Sequence, residues 1–308
     1  MATQPTVNTY LQKGNRESLA DEVAALYPDE VPFFAMCGKV KATARTHEWM
    51  TDGLATTSRT GIKEGADLTY TAPSMRVRKT NYTMIRLRNF DVTFTQAAVD
   101  KAGVRDEVAN QVMKAMKSLL RDYDSVFLWS TIATAGATGV ARRSAGLFSV
   151  VVTNTAKGTG AGSSGRIQIT EANVNIVLQK IWDQGGDPRA LFTGGFSKRV
   201  ISQKFSAKTG FTWNIEASTR TAIQNVNKYE GSFGTVDVIP DRNMMTSRVA
   251  IVSPSMAKIA ILRDIQQYKG AATASSIKGW VEGEMCLQYG NEKAHGQLRW
   301  LRSTGAIA

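Results

Sequence analysis

The chain has 308 residues, a formal net charge of +12, 43% hydrophobic residues and 21% charged residues. That balance is ordinary for a folded protein and excludes wholesale disorder, while the excess of cations points to contact with polyanions. No apolar run approaches membrane-spanning length, residues 1–18 lack an apolar export signal, and Cys37 and Cys286 stand far apart without metal-ligand spacing, so a reduced intracellular site of synthesis fits.

Residues 1–14 are polar and aperiodic and read as an arm. Asn15 can cap a short helix, RESLADEVAALY, whose narrow stripe is Leu19, Val23 and Leu26. Pro28 and Pro32 then hold the chain extended, and Phe33, Phe34 and Met36 supply an anchor. This helix either docks on its own domain or lies across a neighbouring subunit; the sequence favours neither. Residues 39–75 are rich in Thr, Ser and Gly, and Val40, Trp49, Leu54, Ile62 and Tyr70 are too sparse to bury both faces of a sheet. A segment this long without its own core is usually functional or disordered. Thr46–Met50 and Leu68–Thr71 can pair as a two-stranded ribbon, which needs a surface to lie on, such as another subunit.

In residues 76–100, Phe90, Val92 and Phe94 alternate as in a strand, and Arg76, Arg78, Arg86 and Arg88 predict a strongly basic sheet edge. From Val104 to Ala135 no Gly or Pro intervenes. Val104, Val108, Val112, Met116, Leu119, Tyr123, Val126 and Ser130 recur every three or four residues, predicting a helix of roughly 30 residues and about 45 Å. Asp106 and Glu107 fall in its first turn, and Arg105, Asn110, Lys114, Lys117, Arg121 and Asp124 lie opposite the apolar stripe. So long a helix serves either as the core of an α/β enzyme or as a backbone joining two lobes.

Gly146–Thr155 reads as a strand. Gly160, Gly162 and Gly165 match a dinucleotide fingerprint by letter, but helix patterning begins only after Thr170, too late to present amides to a pyrophosphate. A surface loop explains the letters better. Thr170 caps a helix with Val174, Val177, Leu178 and Ile181 on one face, stopped by Gly185 and Gly186. Ala190–Thr193 is a short strand, and Ser197 begins a second helix, so this α–β–α run describes a small second lobe. After a polar excursion over 205–222 come two strands broken at Gly231 and Gly234, then RVAIVSP and AKIAILR. GWVEGEMCLQYG and AHGQLRWLR close the chain as a hairpin-like pair.

Catalytic patterns are missing. His47 and His295 lack zinc spacing and read as surface or interface histidines; Cys37 reads as a small packed apolar residue. There is no nucleophile elbow or Walker loop. The acid pairs Asp21–Glu22 and Asp29–Glu30 read as solvated charge. The cations are dispersed, without interleaved stacking aromatics, which suits a diffuse electrostatic surface and not base reading. No catalytic, cofactor or metal site is predicted.

The phrases GNRESLADEV, PDEVPFF, GKVKATARTHEWMTDGL, VDVIPDRNM and GNEKAHG, in this order and spacing, resemble one branch of the major capsid proteins of tailed bacteriophages, with the Hong Kong 97-type fold. The element order resembles that family over nearly the whole chain. The resemblance implies an α+β fold with an N-terminal arm (1–38), an extended β loop (39–75), a peripheral lobe with a long spine helix (76–140), an axial α/β lobe (141–262) and returning peripheral strands (263–308). It implies a non-enzymatic structural protein, made in the host cytoplasm, that assembles as hexamers and pentamers into the icosahedral virion capsid around double-stranded DNA. The implied partners are copies of itself, the DNA, and scaffolding, portal and decoration proteins, with no membrane and no cofactor. The short lead before Asn15 implies a separate scaffolding protein or none. Val40, Trp49, Leu54, Ile62 and Tyr70 are then candidate intersubunit contacts. Lys114, Lys117 and Arg121 are candidates to face DNA, unless they only solvate the helix or pair with Asp122 and Asp124 of neighbours. Lys63 invites comparison with relatives that cross-link lysine to asparagine, but no partner can be placed. An encapsulin-type cellular shell and a soluble α/β enzyme remain as alternatives.

Overall fold

The computed structural model describes residues 30–302, apart from 56, 68–69, 71–72, 102, 161–164, 209–225 and 272–273. Residues 1–29 of the expected arm with its helix, the strand at 68–71 (Tyr70 excepted) and most of the polar excursion therefore lie outside the described residues. In order, the elements are α1 (Pro32–Met36), β1 (Gly38–Lys41), β2 (Thr46–Thr51), β3 (Val77–Tyr82), β4 (Met84–Thr93), α2 (Phe94–Ala98) and α3 (Glu107–Trp129). Then come α4 (Leu147–Val150), β5 (Thr155–Lys157), α5 (Glu171–Asp183), β6 (Ala190–Thr193), α6 (Gly195–Lys208), β7 (Lys228–Gly231) and β8 (Gly234–Pro240). The last are β9 (Arg248–Val252), β10 (Lys258–Lys269), β11 (Ser276–Gln288) and β12 (Gly296–Arg299).

The strands form a four-stranded sheet ordered β1-β10-β11-β4, a six-stranded sheet ordered β5-β12-β9-β6-β8-β7, and a β2-β3 ribbon. Two cores hold them. In the first, α1, α3 and α4 meet the four-stranded sheet and one face of the six-stranded sheet through Phe33, Leu119, Tyr123, Phe127, Leu147, Phe192, Ile259 and Leu287. In the second, α5 and α6 cover the other face of the six-stranded sheet through Val177, Leu178, Ile181, Ile201, Ile251 and Leu298.

Helix α3 is shorter than its apolar periodicity suggests, with 23 residues. Asp106 lies outside its first turn as the N-cap, its carboxylate accepting from Val108 and Ala109 N–H at 2.9 and 3.2 Å. At the other end Gly146 N–H donates to Ser130 O at 2.9 Å. A Cβ on Gly146 would come within 2.7 Å of Val126 O and Ser130 N, so a glycine is needed where the returning chain closes on the helix end. Its buried positions are Ala115, Leu119, Tyr123, Asp124, Phe127 and Leu128. The stripe thus shifts from the expected register: Met116 is exposed, and Asp124, expected on the polar side, is fully buried.

Other expectations also change. Residues 39–41, assigned to the extended loop, form with Gly38 an edge strand parallel to β10, with Val40 beside Ala260. β2 pairs with β3. Phe94 starts α2, because Thr93 Oγ1 accepts from Gln96 N–H and ends the strand. The run 146–155 makes the single turn α4 before β5, not one strand. β11 and β12 are not a hairpin: β11 lies between β10 and β4, whereas β12 lies between β5 and β9. A Cβ at Gly296 would sit 2.4 Å from Val177 Cγ1, so glycine lets β12 press against α5.

Candidate assembly surface

The ribbon is fastened to its own subunit. Trp49 Nε1–H donates to Gly290 O at 2.7 Å, and its ring meets Tyr289 edge-on at 4.7 Å. His47 Nε2 lies 2.9 Å from Gln288 Oε1. Asn81, fully buried in β3, donates to Leu287 O at 2.6 Å and Ser144 Oγ at 3.1 Å, and its Oδ1 accepts from Ala145 N–H at 2.8 Å. Thr83 donates to Glu284 Oε1 at 2.7 Å. The buried Glu284 carboxylate also pairs with Arg142 at 2.5 Å and Arg263 at 3.0 Å. Val40 is half-buried in β1. Val40 and Trp49, expected to lack partners within the excursion, find them elsewhere in the same subunit. Those partners lie more than 200 residues away in sequence, where spacing cannot show them.

Beyond this foot the loop changes character. Leu54 is 101% exposed, Ile62 76%, Tyr70 91% and Met75 84%. Among the described residues, contacts between Asp52 and Arg76 close within the loop: Ser74 Oγ to Gly53 O at 2.6 Å, Ala66 N–H to Lys63 O at 3.1 Å, and Arg76 to Asp52 at 3.4 Å. Burying a Leu or Ile side chain is worth about 1.5–3 kcal/mol, which these residues do not gain within the described subunit.

On α3, Lys114 is exposed, whereas Lys117 and Arg121 are half-buried. Asp122 is held within the subunit by Arg88 at 2.7 Å and Arg86 at 3.8 Å, and Asp124 is buried, so neither is a free acid for a neighbour's lysines. The expected basic edge is also divided and neutralised: Arg76 and Arg78 lie at the ribbon, pairing with Asp52 and Glu48. The exposed start of α3 leaves a groove of about 380 Å³ lined by Val108, Val112, Met113, Met116 and Gln267.

Two buried polar groups escaped the sequence reading. Asp124 accepts from Phe34 N–H at 2.8 Å and Asn243 Nδ2–H at 3.0 Å, while Asp241 accepts from Asn243 N–H at 2.7 Å. The pair ties α1 and α3 to the turn after β8. Burial, then the charge of Asp124, pushes Asp241 up to about 7, and burial also raises Asp124. The Asp-x-Asn turn at 241–243 was a usable signal for one member; Asp124 offered none. His295 is also fully buried, not a surface residue. Its Nδ1 accepts from Ser253 N–H at 3.3 Å and Nε2–H donates to Tyr289 O at 2.9 Å, while burial lowers it to about 4. The Cys37 and Cys286 thiols are pushed up to about 12, chiefly by burial. Among the described residues no group of three His, Cys, Asp or Glu side chains is placed to hold a metal.

The model of the SU10 major capsid protein family matches residues 4–302. The major capsid protein of Escherichia phage Phieco32 is 22% identical over 343 residues, covering 97% of each chain. Among solved structures, the capsid of a native GTA particle aligns with a TM-score of 0.66 at 11% identity, covering 96% of this chain and 97% of the other. The SrpI encapsulin of Synechococcus elongatus aligns with a TM-score of 0.61 at 8% identity, covering 94% of each. These likenesses identify the α+β architecture as the Hong Kong 97-type fold. With its arrangement of two cores, anchored ribbon and exposed loop, the chain belongs to the SU10 major capsid protein family, the structural proteins of phage capsid shells.

Proposed function

We propose that this chain assembles as hexamers and pentamers into a closed icosahedral shell enclosing double-stranded DNA, and that the loop between β2 and β3 supplies a contact between subunits. The observation that carries this reading is the contrast along one loop: Trp49 is secured at its foot, whereas Leu54, Ile62 and Tyr70 are exposed beyond it. In this reading the four-stranded sheet and α3 form the peripheral lobe, and the six-stranded sheet with α5 and α6 forms the axial lobe. The protein acts without catalysis and is made in the host cytoplasm before entering the virion. Scaffolding, portal and decoration proteins are further partners, as the family resemblance implies.

Deleting Gly53–Gly65 tests the contact. The variant should fold as a subunit yet give no closed shells by negative-stain microscopy. Normal shells from the variant would overturn the role of the loop. Lys114, Lys117 and Arg121 are proposed to meet packaged DNA as phosphate contacts without base reading. Their replacement by Gln should preserve shells but reduce DNA retention as salt rises. The encapsulin likeness supports a second reading, a shell around protein cargo, and nuclease-resistant DNA in purified particles separates the two.

A further inference from the structure

The six-stranded sheet carries a row of three cations across adjacent strands. Lys157 of β5 is in register with Arg299 of β12, which is in register with Arg248 of β9. Residues so paired project on one face, where like charges repel. The preceding row, Ala156, Leu298 and Val249, turns into the core beneath α5 and α6, so the cations occupy the opposite face. There Arg248 lies over the Phe148 ring at 5.1 Å, while Arg299 and Lys157 lie over the Trp300 ring at 4.5 and 5.6 Å.

None of the ion pairs between described residues includes any of the three. The buried Nε of Arg299 has no hydrogen-bond partner among the described residues. Arg248 is lowered by burial and then by the charge of Arg299, an independent sign that the two crowd each other. Trp300 has a φ of 59°, the only positive value at a non-glycine residue among the described residues. That conformation is strained for a residue with a Cβ and persists where neighbours hold it. Here Ile167 N–H donates to Trp300 O at 3.0 Å, and Leu301 N–H donates to Ser247 O at 2.9 Å. Lys157 is exposed and the arginines half-buried, so solvent reaches the row from the β5 edge.

We propose that Lys157, Arg299 and Arg248 form a binding site for a phosphate group, whose oxygens offset the repulsion along the row. Guanidinium forks suit phosphate geometry, and a lysine adds a point charge. A single carboxylate would leave two of the three charges unbalanced, whereas a phosphate offers more charge and more acceptor oxygens. The phosphate comes either from the free ion or from a nucleic-acid backbone; the second source rests on the DNA-enclosing shell proposed above.

Trp300 provides the reporter, read as the fluorescence difference between the full chain and its Trp300→Phe variant. Sodium phosphate is titrated against sodium chloride at matched ionic strength, and a short DNA duplex is titrated separately. A saturable Trp300 signal is expected, weakened about tenfold or more in the Arg248→Gln/Arg299→Gln double variant. Removing two adjacent like charges should not lower the melting temperature. If the double variant fails to fold, Lys157→Gln at the exposed end should still weaken binding several-fold. A signal with inorganic phosphate identifies the free ion, and a signal with duplex alone identifies backbone phosphate; either supports the site. No signal with either, or affinities unchanged in the variants, overturns it. Shells that hold no DNA but retain the phosphate response would sink the DNA reading and leave this site standing; DNA-filled shells without the response would do the reverse.

Discussion

The foot and the tip of the β2-β3 loop differ in what completes them. At the foot, Trp49, Asn81 and Thr83 reach groups in residues 284–290 of the same subunit. At the tip, Leu54 and Ile62 project from backbone that contacts itself. One continuous segment thus combines a fixed origin with apolar side chains left for a partner. The lesson is that sparse apolar residues in a coreless stretch are not equivalent: those near strand pairings find distant partners at home, and those beyond them do not.

The sharpest way to break the comparison is at the foot. Glu284→Ala should strip Arg142 and Arg263 of their buried partner and lower unfolding free energy by about 3–5 kcal/mol, read by urea denaturation. A loss below about 1 kcal/mol would mean the foot is not held there. Trp49→Ala should cost about 2 kcal/mol, less than a fully buried aromatic because the residue is half-exposed. It should also impair shell formation by misaiming the loop.

The junction under α1 supplies a pH test. Asp241 is raised in the folded protein, so its contribution is full below the unfolded carboxylate value and is lost as pH rises through about 7. Taken alone, this group lowers stability from about pH 4 to about pH 7, with a slope of at most about 1.4 kcal/mol per unit for one proton. Asp241→Asn should remove that falling component. His295 acts in the opposite sense: it is lowered to about 4, so its contribution is present above its unfolded value near 6.5 and lost as pH falls. The two effects oppose each other between about pH 4 and pH 6.5, so the intact protein should show little net slope there and Asp241→Asn should expose a rise in stability with pH; a profile unchanged by the substitution would contradict the carboxyl pair's role. At the tip the effect on the subunit should be smallest. Leu54→Ser should change its stability by no more than about 0.5 kcal/mol while reducing shell yield, measured by sedimentation. A large loss of subunit stability would mean the tip is packed at home after all.

Much of the six-stranded sheet and its covering helices was legible locally. Thr170, Val174, Val177, Leu178 and Ile181 mark α5 through a cap and one helical face, and Gly185 and Gly186 mark its stop. Gly231 and Gly234 similarly bound β7 and β8. The candidate surface was less legible: Leu54, Ile62 and Tyr70 could be named from their surroundings, but Val40 and Trp49 could not be told apart from them. The cation row was invisible, since Lys157, Arg248 and Arg299 are strangers in sequence until β5, β12 and β9 align. By itself the sequence determined what depends on near neighbours: periodicity, caps, breaks and the order of elements. Only the tertiary structure decided which sheet received β12, which strand paired with β2, and that Asp124 turned inward. Those outcomes depend on contacts between distant segments, whose energies outweigh local preference once the two cores close.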